Sequence, residues 1–283
     1  MRRPDVVDSV AALRAQVNGW RRDGLRVAMV PTMGALHEGH LSLIRIARKR
    51  AERCVVSIFV NPTQFAPSED LDKYPRQLTR DLDLLATVKA DLAFTPTVGA
   101  MYPAGFATRI LVGGPSAGLE SDFRPTFFEG VATVVAKLFL QATPDCAVFG
   151  EKDYQQLCVV RQLCRDLDLP VEIIGAPTMR DAHGLAMSSR NAYLDEAELA
   201  VARQLNVILH KTAAAIAAGA HGDDTTGEAS RALIAAGFRK VDYVEARESL
   251  TLAPWRRGRA GRLLAAAWLG KTRLIDNVDV PIA

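Results

Sequence analysis

The sequence predicts an α/β fold: a parallel sheet covered by helices on both faces, followed by a smaller α+β domain. Three observations carry that expectation. Short apolar runs such as Cys54-Val55-Val56-Ser57-Ile58-Phe59-Val60 alternate with amphipathic helical stripes, the pattern of strands buried on both faces. Polar residues capable of chemistry fall just after those runs: His37 and His40, Asn61 and Gln64, then Glu151, Lys152 and Asp153. Open parallel sheets bind ligands beyond the carboxyl ends of their strands. After Ile174 the alternation stops and an Ala-rich helical stretch takes over.

Each element has a local reason. Val10, Leu13, Val17 and Trp20 form a helical stripe that Asp23-Gly24 closes. Leu25 to Val30 is an apolar strand, and Pro31-Thr32-Met33-Gly34 turns it into a helix from about His37 to Arg50. Cys54 to Val60 is the next strand, stopped by Asn61-Pro62. A helix over Thr79 to Val88 and a short strand, Leu92 to Phe94, follow. The loop-rich stretch after Pro96 holds a short strand at Arg109 to Val112. Gly130 to Leu140 is an apolar helix, Cys146 to Phe149 a strand, Asp153 to Leu167 a helix, and Val171 to Ile174 the last strand of the series. Beyond it, the spacing predicts one long helix over Ala197 to Ala218, a polar link at Ala220 to Asp224, a helix over Gly227 to Ala236, and strands at Val241 to Val244 and Arg262 to Ala267. The expected domains are 1–178 and 179–283, which puts Met187-Ser188-Ser189-Arg190 at the cleft between them.

Composition narrows the class. The apolar fraction of 49% supports a sizeable core, and 35 basic against 32 acidic residues leave too little surplus to point at nucleic acid. Arg256-Arg257-Gly258-Arg259 with Arg262 lacks the aromatic platform of a nucleic-acid site and is expected to be a solvated loop. No run approaches the roughly 20 apolar residues of a membrane span. Asp5 and Asp8 occupy the place of a signal peptide's apolar segment, so a cytoplasmic location is expected. Cys54, Cys146, Cys158 and Cys164 form no C-x-x-C pair and are expected as buried, reduced thiols.

His37-Glu38-Gly39-His40 is the most informative stretch. A helix start offers unpaired N–H groups and the positive end of a dipole, and two imidazoles one turn apart add donors or cations on the same face. The place suits phosphate. Zinc is excluded by spacing, since a helical pair of ligands needs separation by four with an acid between. Gly150 lets a backbone approach a ligand, and Lys152 is a mobile charge for phosphate. Asn61 and Gln64 supply amides that discriminate hydroxyl from carboxylate. Ser188 and Ser189 stand beside Arg190, a residue suited to bidentate phosphate contact. Each alone also fits an ordinary cap, turn or solvated charge run.

Together the motifs are far more specific. Met33-Gly34-x-x-His37-x-Gly39-His40, Phe59-Val60-Asn61-Pro62-x-Gln64-Phe65, Tyr74-Pro75-Arg76, Phe149-Gly150-Glu151-Lys152-Asp153-Tyr154-Gln155-Gln156-Leu157, Met187-Ser188-Ser189-Arg190-Asn191, Ala266-Ala267-Trp268-Leu269-Gly270 and Thr272-Arg273-Leu274-Ile275-Asp276-Asn277 occur in this order along the whole chain. The sequence closely resembles the pantothenate synthetase (pantoate–β-alanine ligase) family.

The resemblance implies a Rossmann-like nucleotidyltransferase domain of the HIGH superfamily, a smaller C-terminal lid, and a homodimer through the N-terminal domain. It implies the joining of (R)-pantoate to β-alanine with ATP, through a pantoyl adenylate, with Mg²⁺ accompanying the nucleotide. By resemblance, His37, His40 and Lys152 are catalytic. Met33, Gly34, Gly150, Glu151, Asp153, Met179, Met187, Ser188, Ser189 and Arg190 join them in binding ATP. Gln64, Gln156, Asn61 and Arg124 would hold pantoate or β-alanine, and Asp81 would be a metal-linked acid. The sequence departs from the family pattern at Phe127, where a histidine is usual, at Arg80, where an acid commonly precedes Asp81, and at His183, where an Asp commonly precedes Gly184. The competing expectations are another HIGH-type adenylyltransferase, which would leave AMP on a phosphate, and a nucleotide-binding protein without activity.

Overall fold

The computed structural model describes residues 2–65 and 71–282. Among them, six parallel strands form the larger sheet: β1 (Asp5–Val7), β2 (Val27–Thr32), β3 (Arg53–Ile58), β4 (Leu92–Phe94), β5 (Cys146–Gly150) and β6 (Glu172–Ala176). Their spatial order is β1-β4-β3-β2-β5-β6, every neighbouring pair parallel. The chain runs outward from β2 through β3 and β4, then returns to start again on the other side of β2 with β5. The topological switch point therefore lies between β2 and β5. These two strands pair only at Ala28 with Cys146 and Met29 with Ala147, so they part before their carboxyl ends.

The helices are α1 (Val10–Arg22), α2 (Glu38–Arg50), α3 (Leu78–Thr87), α4 (Val98–Met101), α5 (Glu120–Phe123), α6 (Phe127–Ala142) and α7 (Tyr154–Asp166). Strand alternation decides which face each covers. Val27 and Met29 of β2 point into a core with Leu13 of α1, Val135 of α6 and Leu157 of α7. Ala28 and Val30 point the other way, toward Ile44 of α2 and Leu85 of α3. Burial on both faces is why these strands lack polar alternation.

The smaller unit has α8 (Glu196–Ala202), α9 (Gln204–Ala217), α10 (Gly222–Ala235) and an antiparallel sheet, β7 (Lys240–Glu248), β8 (Gly261–Leu269) and β9 (Thr272–Val280). Leu263, Ala265, Ala267 and Leu269 of β8 face the helices, packing with Leu205, Leu209 and Leu233. Leu264 and Ala266 face the opposite way and pack with Tyr154 and Cys158 of α7. The small sheet is thus sandwiched between its own helices and the large unit.

Several expectations need correction. The single helix over 197–218 is two, parted at Arg203, so that α8 lies on β8 while α9 lies on β9. The polar link at 220–224 already contains the first turn of α10. Arg109 to Val112 has no ladder partner among the described residues and is not a strand. Its Ile110 N–H goes to Thr133 Oγ1 at 3.0 Å. The edge strand β1 and the whole of β9 were not expected. All four cysteines are free and buried, as expected, and no described helix is long and apolar enough to cross a membrane.

Candidate active site

The carboxyl end of β2 leads into a backbone that few sequences tolerate. Gly34 has φ +85° and Ala35 has φ +51°. Asp81 of α3, 1% exposed, holds this loop by accepting Ala35 N–H at 3.0 Å and Leu36 N–H at 2.8 Å. A side chain at Gly34 would press on that carboxylate. The loop delivers His37 as the N-cap of α2, where the chain opens into a capping box. His37 Nδ1 accepts Gly39 N–H at 3.1 Å, and His40 Nδ1 accepts His37 N–H at 3.3 Å. Gly39 is required here, because a Cβ would sit 2.8 Å from the His37 ring.

These caps settle the protonation of both rings. Each Nδ1 is an acceptor, so each neutral imidazole carries its proton on Nε2. Burial, and then the Lys152 charge, lower the His37 pKa to about 4. Burial, and then the neighbouring His37, lower that of His40 to about 3. The ring centroids are 4.1 Å apart, too close for two charges in a poorly hydrated place. Of the donors or cations that the sequence allowed, the histidines are donors.

Across the switch point, β5 ends at Gly150, and Glu151–Asp153 form a single 3₁₀ turn before α7. Lys152 Nζ lies 3.4 Å from Asp153 Oδ1, its side chain largely covered. On the third side, Ser188 caps the turn Ser189–Tyr193 and accepts Arg190 N–H on its Oγ at 3.3 Å. Met187 N–H bonds to Met179 O at 2.9 Å. Arg180 anchors the base of this loop through a two-pronged ion pair with buried Asp276 of β9, at 2.7 and 2.9 Å.

The end of the cleft at Gln64 rests on Asn61, which is 1% exposed. Its Nδ2 donates to Gln64 Oε1 at 2.9 Å and to Gly130 O at 3.2 Å, while its Oδ1 accepts from Tyr102 Oη at 2.8 Å. Gln64 must therefore present its NH₂ group to the cleft. Arg124 donates to Gln64 O at 3.1 Å and lies 3.7 Å over the Phe127 ring. Phe127 thus offers Arg124 the face of an aromatic ring.

One cleft of about 1040 Å³ joins these parts, room for a nucleotide and a small acid together. Met33, His37, His40, Gly150, Lys152 and Asp153 line it, with Met179, Met187, Ser188, Ser189 and Arg190 opposite and Gln64, Gln156 and Arg124 at one end. Gly34, Glu151, Asn61 and Asp81 do not line it. They stand behind the wall: Gly34 makes the turn, Asn61 orients Gln64, Asp81 holds two loop amides, and Glu151 pairs with Arg262 at 3.3 Å. Among the described residues no three His, Cys, Asp or Glu side chains cluster as a metal cage.

A model of the family described as pantoate-beta-alanine ligase matches residues 5–279. The chain belongs to that family. It is 92% identical over 283 residues to the pantothenate synthetase of Mesorhizobium japonicum, covering 100% of both chains. It is 57% identical to that of Caulobacter vibrioides, over 99% of this chain and 100% of the other. The crystal structure of pantothenate synthetase from Thermus thermophilus superposes with a TM-score of 0.88 at 45% identity, covering 98% and 99% of the two chains. That of pantoate-beta-alanine ligase from Francisella tularensis, complexed with beta-gamma ATP and beta-alanine, gives 0.83 at 33% identity, over 98% of each chain. As a pantoate-beta-alanine ligase, the chain is an enzyme, and its Rossmann-like parallel sheet with a small antiparallel C-terminal sheet is the family's fold.

Sequence reasoning missed residues both in the wall of the ligase cleft, Gln155 and Glu120, and behind it, Tyr102, Gly130 and Arg262. Gln155, beside the cleft-facing Gln156, donates to Pro115 O and Gly118 O and accepts Glu120 N–H. Tyr102 and Gly130 steady Asn61. Glu120, 5% exposed, accepts from Tyr243 Oη at 2.8 Å and from Arg273 at 2.7 Å, linking the two units. Arg262, expected to be solvated with the basic loop before it, is instead 6% exposed and pairs with Glu151 at 3.3 Å, because it lies at the start of β8 against the larger unit.

Proposed function

We propose that this cleft makes pantothenate in two steps. A pantoate carboxylate oxygen attacks the α-phosphorus of ATP. A bond forms from that oxygen to phosphorus, the bond to the β-phosphate bridge oxygen breaks, and pyrophosphate leaves. The β-alanine amine then attacks the acyl carbon of the pantoyl adenylate, forms the amide, loses a proton and expels AMP. The observation that carries this reading is the convergence of the His37/His40 helix start, Lys152 and the Ser188–Arg190 turn on one cleft at the switch point.

Charge assigns the roles. The phosphoryl group gains charge at its oxygens as the reaction proceeds, so fixed donors aimed there lower the barrier. His37 and His40 supply Nε2–H donors alongside the amides of the α2 start, and Lys152 and Arg190 supply the cationic charge. Ser188 and Ser189 close over the phosphates. Gln64 and Gln156 grip pantoate's carboxylate and hydroxyls, with Arg124 beside them. A closed cleft keeps water from the acyl phosphate.

Mg²⁺ enters with the triphosphate as part of the substrate, a mode suited to an ion that binds few protein ligands. Asp81 is better placed to hold the amides of Ala35 and Leu36 than to meet that ion, since both of its oxygens are engaged there. The same reading includes a boundary between 178 and 179, a cytoplasmic location, and a homodimer through the larger unit. The 79% exposed Leu111 on its unpaired segment supports the last, which sedimentation tests.

The deciding assay follows pyrophosphate and AMP with each substrate omitted in turn. Pantoate and ATP alone should release one equivalent of pyrophosphate per site, and AMP should follow only with β-alanine. A stable adenylylated phosphate product, or no pantoate-dependent pyrophosphate, contradicts the reading. Lys152→Ala should lower kcat by roughly 10²–10³ while ATP affinity changes far less, the size of losing one transition-state donor.

A further inference from the structure

Lys152 sits on a single 3₁₀ turn between a strand and a helix, and such a turn cannot by itself fix a side chain against phosphates arriving from elsewhere. Something must hold it from behind. Asn277 of β9, 3% exposed, spends both N–H groups of its amide there: Nδ2 donates to Glu151 O and to Lys152 O, each at 2.9 Å. The orientation of the amide is fixed in turn, because its Oδ1 accepts Arg262 Nε at 2.6 Å. Arg262, 6% exposed, is itself held by Glu151, by Asp279 and by the Tyr154 ring 4.2 Å away. With two donors used and its oxygen engaged, Asn277 has no hydrogen left for a substrate.

The backbone of the same residue reaches the opposite arm of the cleft. Asn277 O accepts from Arg180 at 3.3 Å, and its N–H bonds to Asp276 Oδ1, which also pairs with Arg180. Arg180 is the base of the Ser188–Arg190 loop. One residue of the small sheet therefore touches both phosphate-facing arms, the side chain on one and the main chain on the other.

We propose that Asn277 is a positioning residue for the adenylation step, setting the Lys152 turn at its working distance from the serine loop. The inference rests on the catalytic role given above to Lys152. The mechanism is geometric: near-attack alignment is sensitive to shifts of an ångström, and a displacement remote from the reacting atoms can lower the rate by about 10²-fold.

A double-mutant cycle separates positioning from simple structural support. Asn277→Ala should lower kcat for pantoate-dependent pyrophosphate release by about 10²-fold and leave KM for ATP within about threefold. In a Lys152→Ala background the same substitution should cost less than about twofold, because the side chain it positions is gone. Asn277→Asp keeps a partner for Arg262 but offers the two carbonyls no donor, so it should lose as much kcat as the alanine variant and carries the test if that variant does not fold. An equal loss in both backgrounds, or an Asn277→Asp enzyme with full kcat, overturns the proposal alone. A Lys152→Ala enzyme with unchanged kcat overturns the reading of Lys152 and this proposal with it.

Discussion

Protonating His37 or His40 in the folded chain means charging a covered ring beside another imidazole. Their folded pKa values, about 4 and about 3, lie below the ordinary 6.5. As pH falls through 6.5, the unfolded chain takes up protons while the folded chain does not. The stability carried by the neutral rings is complete above 6.5 and drains away toward pH 4. The expected slope is at most about 1.4 kcal/mol per pH unit for each ring. His37→Asn keeps a good N-cap but cannot titrate. It should hold its stability at pH 7, show a shallower loss between pH 6.5 and 4 in denaturant titrations, and turn over more slowly. An unchanged slope would remove His37 from this account. At this scale the sequence was informative for His37, His40, Lys152 and Ser188, which line the cleft, because phosphate chemistry permits few side chains. It was silent on Asn61, Asp81 and Glu151 as supports, since a supporting side chain looks the same in sequence as a binding one.

At the scale of elements, the contact between α6 and the turn at 61–64 shows how packing sets specificity. Gly130 lies against the backbone of Thr63, and a Cβ there would collide with the Thr63 carbonyl. The same glycine's carbonyl accepts from Asn61. Gly130→Ala should therefore push the turn outward and misplace Gln64. The expected result is a pantoate KM raised about tenfold with ATP KM little changed, measured by initial rates with each substrate varied. Equal effects on both substrates would mean a general loss of structure. Strands β3, β4 and β5 were legible because burial on both faces writes them as apolar runs. β9 was not, because Arg273, Asp276, Asn277 and Asp279 interrupt its pattern. Two of those residues, Arg273 and Asn277, reach across to the other unit, at Glu120 and at the Glu151 and Lys152 carbonyls, so part of what hid the strand is its work. The break at Arg203 was equally hidden, since an Ala-rich helix carries no mark of the surface it must follow.

At the scale of the molecule, the two units meet through charge as well as apolar surface. Arg273 bonds Glu120 of the large unit at 2.7 Å and Asp242 of β7 at 2.7 Å, and its side chain is 14% exposed. Despite burial, those two carboxylates raise its pKa further. Arg273→Ala would remove the cation that the covered Glu120 and Asp242 share, leaving them Arg124 at 3.6 Å and Lys240 at 2.9 Å respectively as cationic partners. Breaking a buried pair in this way typically costs about 3–5 kcal/mol. Chemical denaturation should register that loss, and a value within about 0.5 kcal/mol of the parent, the level of an ordinary surface substitution, would show the network to be solvated.

The brevity of the β2–β5 ladder has a consequence for how the enzyme meets its nucleotide. Past Met29 and Ala147 the two backbones no longer share hydrogen bonds, and a wedge of space remains between them. No hinge has to swing for that wedge to exist. It is walled by main chain that is itself bonded outward to β3 and β6. Entry of ATP therefore disturbs the sheet little, and rearrangement on binding should concentrate in the serine loop and its small-sheet support rather than in the strands.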